Sequence, residues 1–297
     1  MRRLLDRPYL LLVLTVLFWS GNMVAGRGLR EAVPPFSLAA IRWSIALLLT
    51  LPFALPQLRR QWGTLRASWP ALLLLGLAGI CCYNAFAYLA LSTTTATNAA
   101  LLNAFIPICT VAISWVFLGK RLTGAEALGV FVSFFGVLLI VARGSPAVLA
   151  SLSLNTGDLW MLLAVLFWAL YTVGLAWRPA DVDPMLALAA FIVCGLLALI
   201  PAAVVEHASG LEISFTPTSI AGMLYIGVFP SFLGYIFYNR GIALVGANKG
   251  ALFLHLMPVF GTVLAAVFLG ERPAWFHLAG IVMIFCGIFL NTRRRRS

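Results

Sequence analysis

Residues 107–121 read PICTVAISWVFLGKR, and residues 258–272 read PVFGTVLAAVFLGER. An offset of 151 residues pairs Pro107 with Pro258, the VFLG of 116–119 with that of 267–270, and Arg121 with Arg272. Upstream, the same register pairs Ala96 with Ala247 and Ala100 with Ala251; downstream, it pairs Gly129 with Gly280 and Gly136 with Gly287. Leu17, Phe18 and Trp19 match Leu166, Phe167 and Trp168 at an offset of 149. Shared apolar composition gives scattered identities. It does not readily place a proline, a four-residue block and two glycines in one register. The chain therefore reads as a duplication, with halves at 1–148 and 149–297.

Each half is too apolar to fold in water. Of the 297 residues, 62% are hydrophobic and 10% charged, and the mean hydropathy is +1.02. A soluble domain carries about 25% charged residues, and a core of this chain length could not hide so much apolar surface. The apolar residues form long runs, the pattern of spanning helices. No alternating ten-residue barrel pattern is present. Ten spans are predicted, at 9–26, 36–56, 69–91, 97–118, 123–142, 156–177, 184–205, 218–239, 247–269 and 274–291. Prolines at 34–35, 56, 146, 179, 184 and 217 punctuate the connections. Arg2, Arg3 and Arg7 before the first run resemble a signal peptide, but further spans follow, so that run reads as the first span.

Five is an odd number of crossings, so the second half enters the membrane from the opposite side to the first. An inverted repeat of this kind is typical of secondary transporters, whose solute site lies near midplane between the repeats. The basic residues set the orientation. With the N-terminus inside, fifteen Lys and Arg fall on inner segments, the tail Arg293, Arg294, Arg295 and Arg296 among them, against four outside. Both termini are predicted to be cytoplasmic. The net charge of +11 is spread between apolar runs rather than along one helix face, which argues against nucleic-acid binding. The cysteines Cys81, Cys82, Cys109, Cys194 and Cys286 all lie in apolar runs without CxxC or Cys/His spacing, so no disulfide, metal site or cofactor is expected.

Two five-span halves, FWSGN at 18–22, an arginine in span two (AAIRW, 39–43) and the VFLGKR and VFLGER blocks resemble the drug/metabolite transporter superfamily, and within it the EamA family. The resemblance covers nearly the whole chain. It implies a bacterial inner-membrane carrier, in many cases an exporter of amino acids and related metabolites, aromatic ones in one subgroup. It also implies that spans one, three, four, six, eight and nine surround the cavity, with five and ten peripheral. Lys120 departs from the family pattern, which usually has Glu there; Glu271 keeps it.

Candidate solute contacts are polar and aromatic residues within spans, because polar groups facing lipid are costly. Thr15, Trp19, Asn22 and Gly26 share one face of span one. Trp168 and Tyr171 hold the matching places in span six. Tyr83, Asn84 and Tyr88 in span three, Asn98 and Asn103 in span four, Tyr235, Tyr238 and Asn239 in span eight and His255 in span nine complete the set. Trp19 and Trp168 sit mid-span, away from the interfacial belt, and suit stacking walls for flat solutes. Single Asn and Tyr residues read first as interhelical hydrogen-bond partners and second as pocket residues. Arg42 lies about 9 Å into span two at helical rise, where it snorkels, binds backbone carbonyls or meets a solute carboxylate. His255 is read first as a structural histidine and second as a solute or proton contact.

Every Asp and Glu falls at or beyond a span end, so a carboxylate proton relay is not expected. No catalytic triad, HExxH or P-loop is present, which argues against a membrane enzyme and against ATP drive. A phosphate-sugar type antiporter would need several cavity cations. The expected partners are the bilayer and a small solute, with oligomeric state open.

Overall fold

The computed structural model describes residues 5–94, 96–150, 155–269 and 272–292. Arg2, Arg3, Glu271 and the arginine tail lie outside them. Every described element is helical, with no strand among them. In chain order, α1 is Pro8–Leu29, α2 is Pro35–Ala67 and α3 covers 69–93. The next, α4, joins Ala96–Asn103 to Ile106–Leu118, and α5 is Gly124–Val141. A short helix at Pro146–Ala150 leads to α6, Thr156–Trp177, and α7, Pro184–Ala208. Then α8 is Pro217–Val245, α9 covers 247–269 and α10 is Trp275–Thr292. Among the described residues, nine helices (all but α9) are long and apolar enough to cross a membrane. The α9 run is helical where the ninth span was predicted.

The helix starts follow local chemistry. Thr123 accepts from the Glu126 amide while Glu126 reaches back to the Thr123 amide, and Asn155 and Asp158 do the same at α6. Gly119, at φ 63°, ends α4 in the left-handed conformation that glycine adopts without a Cβ clash. One boundary differs from expectation: α2 does not stop at Pro56 but continues through Pro52 and Pro56 to Ala67. A proline removes a single amide donor. Here the tail is held by packing, since Leu58 and Leu65 lie against the core and Gln61 accepts from the Asp183 amide at 2.8 Å.

The pattern of helix contacts repeats when each helix is advanced by five. Helix α1 packs on α8 and α9, and α6 packs on α3 and α4. The α2–α7 and α5–α10 pairs map onto themselves. These two seams are antiparallel. At α5–α10, Gly129 faces Gly287 and Gly136 faces Gly280, although the sequence register pairs Gly129 with Gly280. The backbones approach so closely that a Cβ on Gly129 would sit 2.6 Å from the Gly287 carbonyl oxygen. Small residues permit such contact where lipid offers no hydrophobic drive between helices. At α2–α7, Glu206 near the end of α7 accepts from the Phe36 and Ser37 amides at 3.1 and 2.8 Å, capping α2. Gln61 near the end of α2 meets the start of α7 in return.

Large apolar side chains line the outside, including Leu48 and Phe53 on α2, Phe131 and Phe135 on α5, Leu197 and Val204 on α7, and Phe285 and Phe289 on α10. So much exposed apolar surface suits hydrocarbon and not water. The chain is a multi-pass membrane protein.

Candidate functional site

The centre of the molecule is a box of aromatic rings drawn from both halves. Trp19 of α1 meets Trp168 of α6 edge to face, with ring centroids 5.0 Å apart at 87°. Tyr238 of α8 lies 5.0 Å from Trp19 and 5.3 Å from Trp168. Tyr235 lies 5.8 and 5.6 Å from the same two rings. Tyr83 of α3 and Tyr171 of α6 close the Trp168 side at 4.6 and 5.3 Å. Edge-to-face and tilted pairs at such spacings are favourable because the ring edge is positive and the face negative. The mid-span indoles expected to form walls thus pack together with the tyrosines. They touch one another instead of standing apart, so the expected chamber is filled by rings at this level.

The polar ends of the rings are bound mostly within the box. Tyr171 donates to Asn239 Oδ1 at 2.8 Å, and the Tyr238 hydroxyl lies 2.8 Å from Thr172 Oγ1. Two further bonds land on π-helical segments, Gly76–Cys82 in α3 and Gly227–Leu233 in α8. These segments are 151 residues apart, the repeat offset, and each frees carbonyls from the regular ladder. Tyr235 donates to the Gly79 carbonyl at 2.7 Å, and Trp19 Nε1 to the Pro230 carbonyl at 3.0 Å. Gly79 and Pro230 are themselves 151 apart. The partner indole breaks the symmetry, because Trp168 Nε1 is buried with no carbonyl to bond and meets only the Tyr238 hydroxyl, outside regular hydrogen-bond geometry.

Beside the box lies Arg42, 2% exposed. Its Nε donates to Ser231 Oγ at 2.7 Å, and Nη1 donates to Asn84 Oδ1 at 3.1 Å and Tyr88 Oη at 3.0 Å. Its guanidinium lies 5.4 Å from the Trp43 ring centroid, and Trp43 packs on Tyr235 at 4.6 Å. Asn84 also donates to the Gly79 carbonyl, at 3.3 Å, which joins Arg42 to the box. All three hydrogen-bond acceptors around Arg42 are neutral, and it takes part in none of the ion pairs among the described residues. Of the alternatives open to it in the sequence, Arg42 neither snorkels nor uses backbone carbonyls.

The remaining candidates separate. Asn22 and Asn103 are half-buried, each with an unpartnered Oδ1, and join neither group by a hydrogen bond. His255 lies on the α4–α5–α9 seam, fully buried, with Ser133 Oγ 2.6 Å from Nδ1 and the Ala104 carbonyl 3.0 Å from Nε2. A carbonyl only accepts, so Nε2 carries the proton and Nδ1 accepts from the serine. With both nitrogens engaged on helix partners, His255 is a pin between helices and does not join the aromatic box. Trp43, Ser231 and Thr172 were not singled out from sequence. Trp43 is adjacent to Arg42 in AAIRW, which is a legible signal. Nothing local marks Ser231 or Thr172.

The EamA-like transporter family profile matches residues 6–142 and again residues 155–293. This chain belongs to the EamA-like transporter family. Relatives include an uncharacterized transporter of Archaeoglobus fulgidus, 30% identical and covering 98% of this chain and 99% of its own. An uncharacterized transporter of Bacillus subtilis is 29% identical over 86% of this chain and 83% of its own. A protein of Streptantibioticus cattleyicolor named a probable terminal-alkyne amino-acid exporter is 27% identical, covering 95% and 92%. A solved crystal structure at 22% identity shares the fold, with a TM-score of 0.77 over 97% of this chain and 96% of that one. The EamA-family chain is thus a transporter and not an enzyme.

Proposed function

We propose that this EamA-family protein is a secondary carrier that exports amino acids or closely related small carboxylates, with Arg42 reading the carboxylate. The observation that carries this is a buried guanidinium with only neutral partners beside an aromatic box. A buried charge without a counter-charge costs several kcal/mol, and a solute carboxylate would supply one. The adjacent Trp and Tyr rings would take an apolar or aromatic side chain. The name of the Streptantibioticus cattleyicolor relative is consistent with this substrate class. A phosphate-bearing solute would ask for more central cations. Arg240 instead pairs with Asp6 at 3.3 Å and Lys249 with Glu126 at 3.6 Å, both near helix ends.

In this reading the chain forms ten spans as two inverted repeats, 1–148 and 149–297, with both termini on the cytoplasmic side of a bacterial inner membrane. The double family match and the antiparallel seams support the repeat. Exchanging the roles of the halves gives the second state of an alternating-access cycle. Trp19 holds the Pro230 carbonyl here, and its counterpart Trp168 holds no carbonyl. In the exchanged state Trp168 would hold the Gly79 carbonyl and Trp19 would release Pro230. The test is counterflow in proteoliposomes against a panel of amino acids and their decarboxylated amines. Loss of uptake of the acids in Arg42→Gln, with protein yield preserved, is the expected result. Equal transport of acids and amines by the native protein would refute the carboxylate reading.

A further inference from the structure

Helices α4, α5, α8, α9 and α10 meet at the face that carries both described chain ends. They enclose a recess of about 220 Å³ there, lined by residues of both halves. Lys120 and Arg121 come from the connection after Gly119, Glu126 from the first turn of α5, Asn248 and Lys249 from the start of α9, and Asn291 from the end of α10. Three cations thus face one carboxylate. That carboxylate is already engaged, since Glu126 accepts from the Thr123 amide at 2.9 Å and pairs with Lys249 at 3.6 Å. Lys120 and Arg121 are exposed and take part in none of the ion pairs among the described residues.

The floor of the recess is polar and incomplete. Asn291 is 1% exposed, and its Nδ2 donates to the Glu126 carbonyl at 3.1 Å. That bond fixes the amide, so its Oδ1 is an acceptor, and this oxygen is buried without a partner. The Asn248 Oδ1 is buried and unpartnered in the same recess. Buried acceptors left unpaired are rare and mark an absent donor. The recess therefore asks for one ligand with two properties: an anion for Lys120 and Arg121, and hydroxyl donors for the two amide oxygens.

Apolar side chains continue outward from both sides of it, with Trp115, Val116 and Phe117 exposed before Lys120 and Phe285 and Phe289 exposed before Asn291. A soluble ion has no use for such flanks, whereas acyl chains do. We propose that this recess is a headgroup site for an anionic glycerophospholipid of the phosphatidylglycerol type. Its phosphate meets Lys120 and Arg121, and its glycerol hydroxyls donate to Asn248 and Asn291. The bound lipid joins the α4–α5 connection of one half to the α8–α9 connection of the other, and so favours the arrangement in which they are close. The inference is independent of which solute is carried.

The experiment is native mass spectrometry and thermal unfolding of the delipidated full chain in detergent. It is titrated separately with phosphatidylglycerol, phosphatidic acid, phosphatidylcholine and soluble glycerol phosphate. Phosphatidylglycerol is expected to bind and stabilise most. Phosphatidic acid, which keeps the charge but lacks the hydroxyls, should bind more weakly. The double variant Lys120→Ala, Arg121→Ala alters two exposed side chains. It should keep the lipid-free melting point and lose about thirtyfold in phosphatidylglycerol affinity, the expected effect of two basic contacts. Equal affinity in native and double-variant protein overturns the site. Equal binding of phosphatidic acid overturns the hydroxyl contacts. Equal stabilisation by glycerol phosphate overturns the lipid assignment in favour of a soluble phosphate.

Discussion

Trp19→Phe and Trp168→Phe should move the conformational equilibrium in opposite directions. The two indoles occupy matched places in the repeat and meet edge to face at 5.0 Å. Replacing either by Phe removes a similar amount of ring, so the packing loss is comparable. The hydrogen bonds differ. Trp19→Phe takes the donor from the Pro230 carbonyl, now 3.0 Å from Nε1. An acceptor left unpaired in a dry interior costs about 1–3 kcal/mol, which shifts a two-state equilibrium by a factor of about 5–150. Trp168→Phe removes an N–H that meets only the Tyr238 hydroxyl, outside regular hydrogen-bond geometry, so this state loses less than it does in Trp19→Phe. The exchanged state, in which Trp168 would bond to Gly79, is the one that suffers. Spin labels at Arg121, on the α4–α5 connection, and at Leu244, in the last turn of α8, report the separation of the two halves at that face. Pulsed dipolar spectroscopy in nanodiscs should show Trp19→Phe enriched in the long-distance population and Trp168→Phe depleted in it. A shift of both variants in one direction, or of neither, would refute the exchange.

Other outcomes follow from single contacts. Arg42→Lys cannot reproduce donors to Ser231, Asn84 and Tyr88 together, so carboxylate uptake should fall about 10–100-fold, the worth of one charge-assisted bond of about 1.5–3 kcal/mol; proteoliposome initial rates check this. Gly129→Ala places a Cβ 2.6 Å from a backbone oxygen and should cost about 1–3 kcal/mol by overpacking. Gly26→Ala, with nothing within 4 Å, should leave the melting point unchanged, and thermal unfolding in detergent separates the two. Glu206→Ala uncaps α2 and should lower stability by about 1–3 kcal/mol, more than Gln61→Ala, which removes one neutral bond. His255→Leu should destabilise through the orphaned Ser133 and Ala104 groups, yet leave the ranking of substrates intact in the same uptake assay.

Much of the fold was legible because lipid imposes few choices. Long apolar runs must become helices, since an unpaired backbone group in hydrocarbon is too costly. The duplication was readable from Pro107 with Pro258 and the paired VFLG blocks. The α2 terminus was misjudged because Pro56 looks like punctuation when read alone, and its helix survives through contacts made by Leu58, Gln61 and Leu65. The site was partly legible. Trp19, Trp168, Tyr171, Tyr235 and Tyr238 were identifiable as aromatics within predicted spans, and their rings meet. His255 reads from sequence first as a structural histidine and second as a solute contact, and its contacts with Ser133 and Ala104 place it on a helix seam and outside the aromatic box.

The sequence by itself determined that the chain lives in a membrane, that its VFLG-bearing segments recur in one register and that polar side chains within spans are costly toward lipid. Those are consequences of solvent and of self-similarity, both of which can be read along one dimension. Tertiary structure decided what each inward group meets. It gave Arg42 three neutral partners, matched the two π segments across the centre and left one of two equivalent indoles without a carbonyl to hold. Such facts depend on which helix faces which and at what rotation. That is set by packing between residues more than a hundred positions apart, and no local pattern encodes it.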